Sequence, residues 1–105
     1  MTKKRPMAAR NPLRDRLSAW AEDRAIELIF LDPPETFDPA IVGVVYGFGQ
    51  EPAILYDEEK ALAALAKDMG EEHAREWFEF NTVGAWLGEA TPRFLIRPQE
   101  DEEAP

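Results

Sequence analysis

His73 and Glu76 stand three residues apart in a stretch of good helix formers. On a helix that spacing places both side chains on one face. Two such groups are compatible with metal ligation, which needs three or four donors. The sequence holds no second histidine and no cysteine to complete the set, so the pair reads as part of a charged helical surface. The missing cysteines also exclude thiolate catalysis and disulfides. Ser18 is the only serine. It falls inside an expected helix, without the exposing turn and neighbouring base that a nucleophile needs. Gly47 and Gly49 give Gly-x-Gly with no helix directly behind it, which fits a hairpin turn better than a phosphate-binding loop.

Asp38 followed by Glu58-Glu59-Lys60 echoes an Asp and Glu-x-Lys spacing used to hold Mg²⁺ beside a lysine. That chemistry wants its carboxylates on a strand, converging on the ion. Here Glu58 and Glu59 follow Asp57 in what reads as the first turn of a helix, where acids are expected for the helix dipole alone. With no catalytic, metal or cofactor set in sight, the chain is expected to be non-enzymatic. The remaining candidates concern protein contact. Glu71, Glu72, Glu76 and Glu79 gather acid on one helix, Trp77 and Trp86 are aromatic anchors, and Asn81 supplies an amide between them. Asn81 falls on the expected apolar face, so it is expected to be a buried amide tying down the loop of Gly84 and Gly88, or a donor in a binding pocket.

The elements that would position these residues follow from periodicity and punctuation. Asn11-Pro12 is a helix start. Leu13, Leu17, Trp20 and Ala21 then mark one face of a helix over 12–24. Residues 26–31 are short, apolar and partly β-branched and predict a strand, stopped by Pro33-Pro34. A second strand is expected over 40–46 and a third over 53–56, joined as an antiparallel hairpin. Asp57 caps a helix whose inner face is Leu62, Leu65, Ala66 and Met69, and Gly70 closes it. A third helix is expected over 71–81, with Ala74, Trp77, Phe78 and Asn81 sharing a face. Thr91-Pro92 leads into a last strand over 93–96. The expected fold is therefore α+β: a small antiparallel or mixed sheet of three or four strands with about three helices, two consecutive ones packed on one face.

Charge divides the chain. Its 105 residues carry a net charge of −9, with +5 on residues 1–16 and −14 on residues 17–105. Residues 1–10 read as a disordered basic head, 11–98 as one domain and 99–105 as a disordered acidic tail. No apolar run approaches the roughly 18 residues of a membrane span, and the head lacks the apolar stretch of a secretory signal. A cytoplasmic protein with no membrane contact is expected. An acidic body repels nucleic acid and suits a basic protein surface.

Three blocks carry a resemblance. They are Phe37-Asp38-Pro39-Ala40-Ile41-Val42-Gly43, Ala53-Ile54-Leu55-Tyr56-Asp57, and Trp77-Phe78-Glu79-Phe80-Asn81 with Gly84-Ala85-Trp86-Leu87-Gly88-Glu89 and Thr91-Pro92. Together they resemble a group of small, uncharacterised bacteriophage and prophage proteins, over a little more than half of the chain. The third block is the most specific, and the basic head departs from the pattern. The resemblance implies a phage accessory protein and supplies no activity. Joined to the charge layout, it gives the expectation of an accessory protein that binds a basic host protein through its acidic helical face. An inhibitor of a nucleic-acid-handling or defence system is the specific form. The alternative is a structural or housekeeping module, or a homodimer joined through the aromatic cluster of Trp77, Phe78, Phe80 and Trp86, whose acidity serves solubility.

Overall fold

The structure, a computed structural model, describes residues 12–83 and 87–98. The basic head, the acidic tail, the Asn11 cap and Trp86 lie outside the described residues. Among the described residues the order is helix α1 (Pro12–Asp23), a short helix α2 (Pro34–Phe37) running into a 3-10 turn (Asp38–Ala40), strand β1 (Ile41–Val45) and strand β2 (Ala53–Asp57). Helix α3 (Glu58–Met69), helix α4 (Glu71–Phe78), a π-helical turn (Glu79–Val83) and strand β3 (Arg93–Leu95) complete it. The fold is α+β, with a mixed sheet in the order β1-β2-β3.

The hairpin forms as the sequence predicts. β1 pairs antiparallel with β2, Val44 opposite Ile54 and Val45 opposite Ala53, with a bulge between Ile41 and Gly43. The turn between them closes with the Gln50 N–H donating to the Gly47 carbonyl at 3.0 Å. Gly49 takes a φ of 73° there, a region where only glycine sits without strain. β3 pairs parallel with β2, Tyr56 opposite Phe94. A parallel neighbour needs a long crossover, and α3 and α4 supply it.

Residues 26–31 do not form the expected strand. The segment is irregular and half-buried for the most part, and it joins no ladder among the described residues. Leu28, Phe30 and Leu31 pack against the core from outside the sheet. Apolar, β-branched composition reports a chain that fits a half-buried surface, and says nothing about whether a strand lies alongside to pair with it. The helix count also exceeds the expectation, because Pro34 opens α2 at its first position and Asp38–Ala40 continues it as a 3-10 turn. The last strand stops at Leu95, one residue short of the predicted end.

α1 ends in a Schellman-type closure, with the Ile26 N–H on the Ala21 carbonyl at 2.8 Å and the Ala25 N–H on that of Glu22 at 3.2 Å. Ala25 carries the required positive φ of 56° without being glycine. Asp57 caps α3 as predicted: its carboxylate accepts the Lys60 N–H at 3.1 Å. The same carboxylate also accepts Arg97 Nη1 at 3.0 Å. That ties the chain beyond β3 back to the junction of β2 and α3.

The core is an aromatic chain crossing every layer. Tyr56 on the central strand is fully buried. Its ring meets Phe37 of α2 edge-on at 6.2 Å and Phe94 of β3 at 6.1 Å. Phe94 in turn meets Phe78 of α4 edge-on at 4.9 Å. Such pairs add about 0.5–1.5 kcal/mol each beyond the area they bury. The Tyr56 hydroxyl accepts the Leu31 N–H at 2.8 Å, so the unpaired 26–31 segment is held by a side chain where a ladder would otherwise hold it.

Burial pushes the Tyr56 phenol up from 10.0 to about 12, against the opposing effect of the Leu31 N–H on its oxygen. The folded state thus holds the phenol proton more tightly than the unfolded chain. That contribution is fully present below pH 10 and is lost as pH rises towards about 12. Urea denaturation at a series of pH values should show stability falling by about 1.4 kcal/mol per pH unit between about 10 and 12 from this residue. Tyr56→Phe should lower stability at neutral pH by about 1–3 kcal/mol, the cost of an orphaned buried N–H, and should remove that alkaline slope. Parallel pH profiles for the two proteins would show that another group sets it.

Candidate functional site

Asp57 fixes where α3 starts, and Gly70 fixes where it stops. The Gly70 N–H donates to the Ala66 carbonyl, while the Gly70 carbonyl accepts the Ala74 N–H, both at 2.9 Å. One residue therefore ends α3 and begins α4. It does so at φ 84°, ψ 157°, a conformation that a side chain would strain. The two helices fold against each other about this corner. Each buries one face in the core: Ala61 and Leu65 from α3, Ala74 and Phe78 from α4.

The flanks next to those buried faces enclose a groove of about 1500 Å³. Its two walls differ in kind. α3 contributes Leu62, Ala63, Ala66 and Met69, with Glu59 at one end. α4 contributes Glu72, Arg75 and Glu76, with Glu79 at the start of the π-helical turn beyond it and Glu71 and His73 at the Gly70 corner. The helical period explains the division, since 59, 62, 63 and 66 share one flank of α3 and 72, 75, 76 and 79 one flank of α4. The result is an apolar wall facing a wall that is mostly acidic.

The four glutamates singled out by sequence, Glu71, Glu72, Glu76 and Glu79, are all exposed and all line this groove. Trp77 does not join them. It is half-buried and packs against the core. Phe78 is fully buried, and Phe80 stands 83% exposed. The aromatic run of this helix is thus divided between core and solvent.

Asn81 is exposed, contrary to the expectation of a buried amide. Its Nδ2 donates to the Trp77 carbonyl at 3.1 Å, one turn back on its own helix. The cause is the π-helical turn over Glu79–Val83. Bonding from i to i+5 inserts one residue into the turn, so the inward position passes from 81 to Thr82, which is buried. Among the described residues of the loop that follows, Thr91 ties the chain, its hydroxyl accepting the Leu87 N–H at 2.8 Å and donating to the Gly88 carbonyl.

The other sequence candidates resolve into structure. Asp38 is buried and held by Arg14 Nη1 at 2.8 Å, and the Arg14 guanidinium lies 4.3 Å over the ring of Phe30. A buried carboxylate so paired is committed to joining α1 to the 3-10 turn. Glu58 and Lys60 sit in the first turn of α3, behind the Asp57 cap. Ser18 is exposed on α1. Among the described residues, no three His, Asp or Glu side chains come together as a metal-ligand set. Also among them, no helix is long and apolar enough to cross a membrane.

Sequence reasoning named the acidic wall and missed the apolar one. Leu62, Ala66 and Met69 read as the inner face of their helix, and they do pack against the core. They also remain partly open to the groove. No signal in the sequence separates the two roles, since the exposure of Ala63 and the partial exposure of Leu62, Ala66 and Met69 belong to the folded chain. Comparisons with protein-family models, with curated proteins and with solved structures each find no match for this chain.

The exposure of the acidic wall predicts that it can be neutralised without cost to the fold. Replacing Glu71, Glu72, Glu76 and Glu79 together by Gln should leave stability within about 0.5 kcal/mol per site, the usual range for surface changes. Thermal denaturation checks this. A large loss of cooperativity would mean that these carboxylates hold the helix pair together.

Proposed function

We propose that this chain is a non-enzymatic accessory protein of the phage type, acting by binding a host protein that presents a basic surface to the α3–α4 flank. The observation that carries this reading is the common placement of Glu71, Glu72, Glu76 and Glu79, exposed along one groove. Carboxylates clustered on one surface steer a cationic partner and fix its orientation. The same sign of charge repels nucleic acid, whose capture depends on cations displacing condensed counterions. A protein that handles nucleic acid carries the complementary basic surface, so an inhibitor of a nucleic-acid-handling or defence system is the specific form. The resemblance of residues 37–94 to small phage and prophage proteins supports that setting, and with it a proposed location in the cytoplasm of a bacterial host.

Capture from bacterial lysate by the immobilised protein tests the reading. Basic nucleic-acid-binding proteins should be retained, released by added duplex DNA, and lost from the variant with Gln at positions 71, 72, 76 and 79. Unchanged capture by that variant would overturn the role of the acidic face.

A second reading is favoured by a separate observation. Tyr46 is 70% exposed and Phe48 fully exposed in the connection between β1 and β2, and Val42 is open on β1. Exposed aromatics of this kind anchor protein interfaces, and here they would join two copies of a structural module. Sedimentation should then show a dimer that Phe48→Ser dissociates. A strictly monomeric species across micromolar concentrations would dispose of this reading.

A further inference from the structure

We infer that the α3–α4 groove receives a cationic amphipathic helix of the partner protein. Its apolar stripe lies on Leu62, Ala63, Ala66 and Met69, and its Lys or Arg flank lies against Glu72, Glu76 and Glu79. The inference rests on the reading that the acidic face binds a basic partner, and it specifies what that partner presents.

The groove's composition selects this ligand over the alternatives. An acidic wall alone would suit any basic surface, including one built to hold phosphates. An apolar wall beside it adds nothing against a phosphate-binding groove, and it gains only from a ligand that is apolar along one side and cationic along the other. That is the face pattern of an amphipathic helix in a hydrophobic groove, read through anchors at i, i+3 or i+4, and i+7. The dimensions agree. Leu62, Ala66 and Met69 run along α3 at i, i+4 and i+7, and at 1.5 Å per residue the row is about 10 Å long. Three apolar anchors of a partner helix with the same spacing cover the same length.

The groove, at about 1500 Å³, exceeds the roughly 300–1,000 Å³ of a small-molecule site. Nor are there buried, unpaired polar side-chain atoms among the described residues that would orient a small ligand. The charge balance is also suitable. Five glutamates line the groove against one arginine, Arg75, so an incoming row of cations meets net negative charge along the α4 wall. Arg75 interrupts that wall between Glu72 and Glu76, and an acidic residue on the partner helix would be tolerated opposite it.

The test uses the full chain and a synthetic amphipathic peptide of about 15 residues, near the length at which an isolated helix becomes marginally stable. The peptide carries Leu at i, i+4 and i+7 with Lys and Arg flanking them. A second peptide has the same composition with the period scrambled. Affinities are measured by fluorescence anisotropy at low and physiological salt. The amphipathic peptide should bind at least about tenfold tighter than the scrambled one. Ala63→Gln lays a longer neutral side chain over the apolar wall at an exposed position, and should weaken the amphipathic peptide severalfold without touching the scrambled one. The pair Glu72→Gln and Glu76→Gln should weaken both peptides and flatten the salt dependence.

Equal binding of the two peptides, with Ala63→Gln silent and the Gln pair weakening both, would overturn the helix-in-groove inference while the acidic-face reading stands. Selective binding that ignores the Gln pair would overturn the acidic reading and leave an apolar groove. No binding of either peptide to the folded protein would overturn both. A gain of tenfold or more in peptide affinity when Lys3, Lys4, Arg5 and Arg10 are changed to Gln would show that the chain's own basic segment competes for the groove, and would overturn a separate partner as its occupant.

Discussion

The packing of this domain depends on the burial of one phenol. Tyr56 sits on the central strand with no exposed surface, and its ring contacts α2 and β3 directly and reaches α4 through Phe94. A tyrosine can be buried so completely only if its hydroxyl finds a partner. The Leu31 N–H meets that need, and the bond serves both groups. It satisfies the phenol oxygen, and it gives the Leu31 N–H an acceptor in a segment that joins no ladder among the described residues. A three-stranded sheet is near the minimum for independent stability. Here the aromatic row and the helices laid on it supply what the short ladders do not.

Two carboxylates organise the periphery of that core, and both are removed from any role as free acids. Asp38 binds Arg14, which stacks on Phe30, so the start of α1 is joined to the turn that enters the sheet. Asp57 caps α3 and binds Arg97, so the start of the helical crossover and the chain leaving β3 share one anchor. Asp38 is the acid that the Asp and Glu-x-Lys spacing picks out, and Asp57 is the one read as a helix cap. Their burial costs hydration, which the paired guanidinium and the helix N–H offset. Acids free to meet a partner lie elsewhere, on the outer flank of α4.

That flank owes its accessibility to the single-residue corner at Gly70. With no loop between the helices, α3 and α4 must bury their adjoining faces in one core, and the next flank of each is left to border the same groove. The charge on it is then a matter of helical phase. Glu72, Glu76 and Glu79 fall on the groove side of α4, while Ala74 and Phe78 fall on the core side. The π-helical turn that follows changes the phase. It turns Asn81 to solvent and Thr82 inward, while Phe80, two residues past the buried Phe78, faces solvent in either phase.

The sequence by itself determined the local structure. Asp57 and Gly70 marked both ends of α3, the Gly47–Gln50 turn marked the hairpin, and the apolar spacing of α3 and α4 marked two packed helices, because caps, turns and periodicity act over a few residues. The α+β class and the acidity of α4 followed from the same short-range signals. Tertiary structure decided the rest. Whether 26–31 paired depended on a neighbour that no local pattern reports. The direction of β3 was set by the crossover above it, and the burial of Asp38 by an arginine 24 residues away. The inward face after Phe78 was set by one inserted residue in a π turn. The groove is the clearest case. Its acidic wall was legible in the glutamates of one helix, but the apolar wall appeared only when Leu62, Ala66 and Met69 were seen to serve the core on one side and remain open on the other, because a residue's exposure depends on what packs beside it.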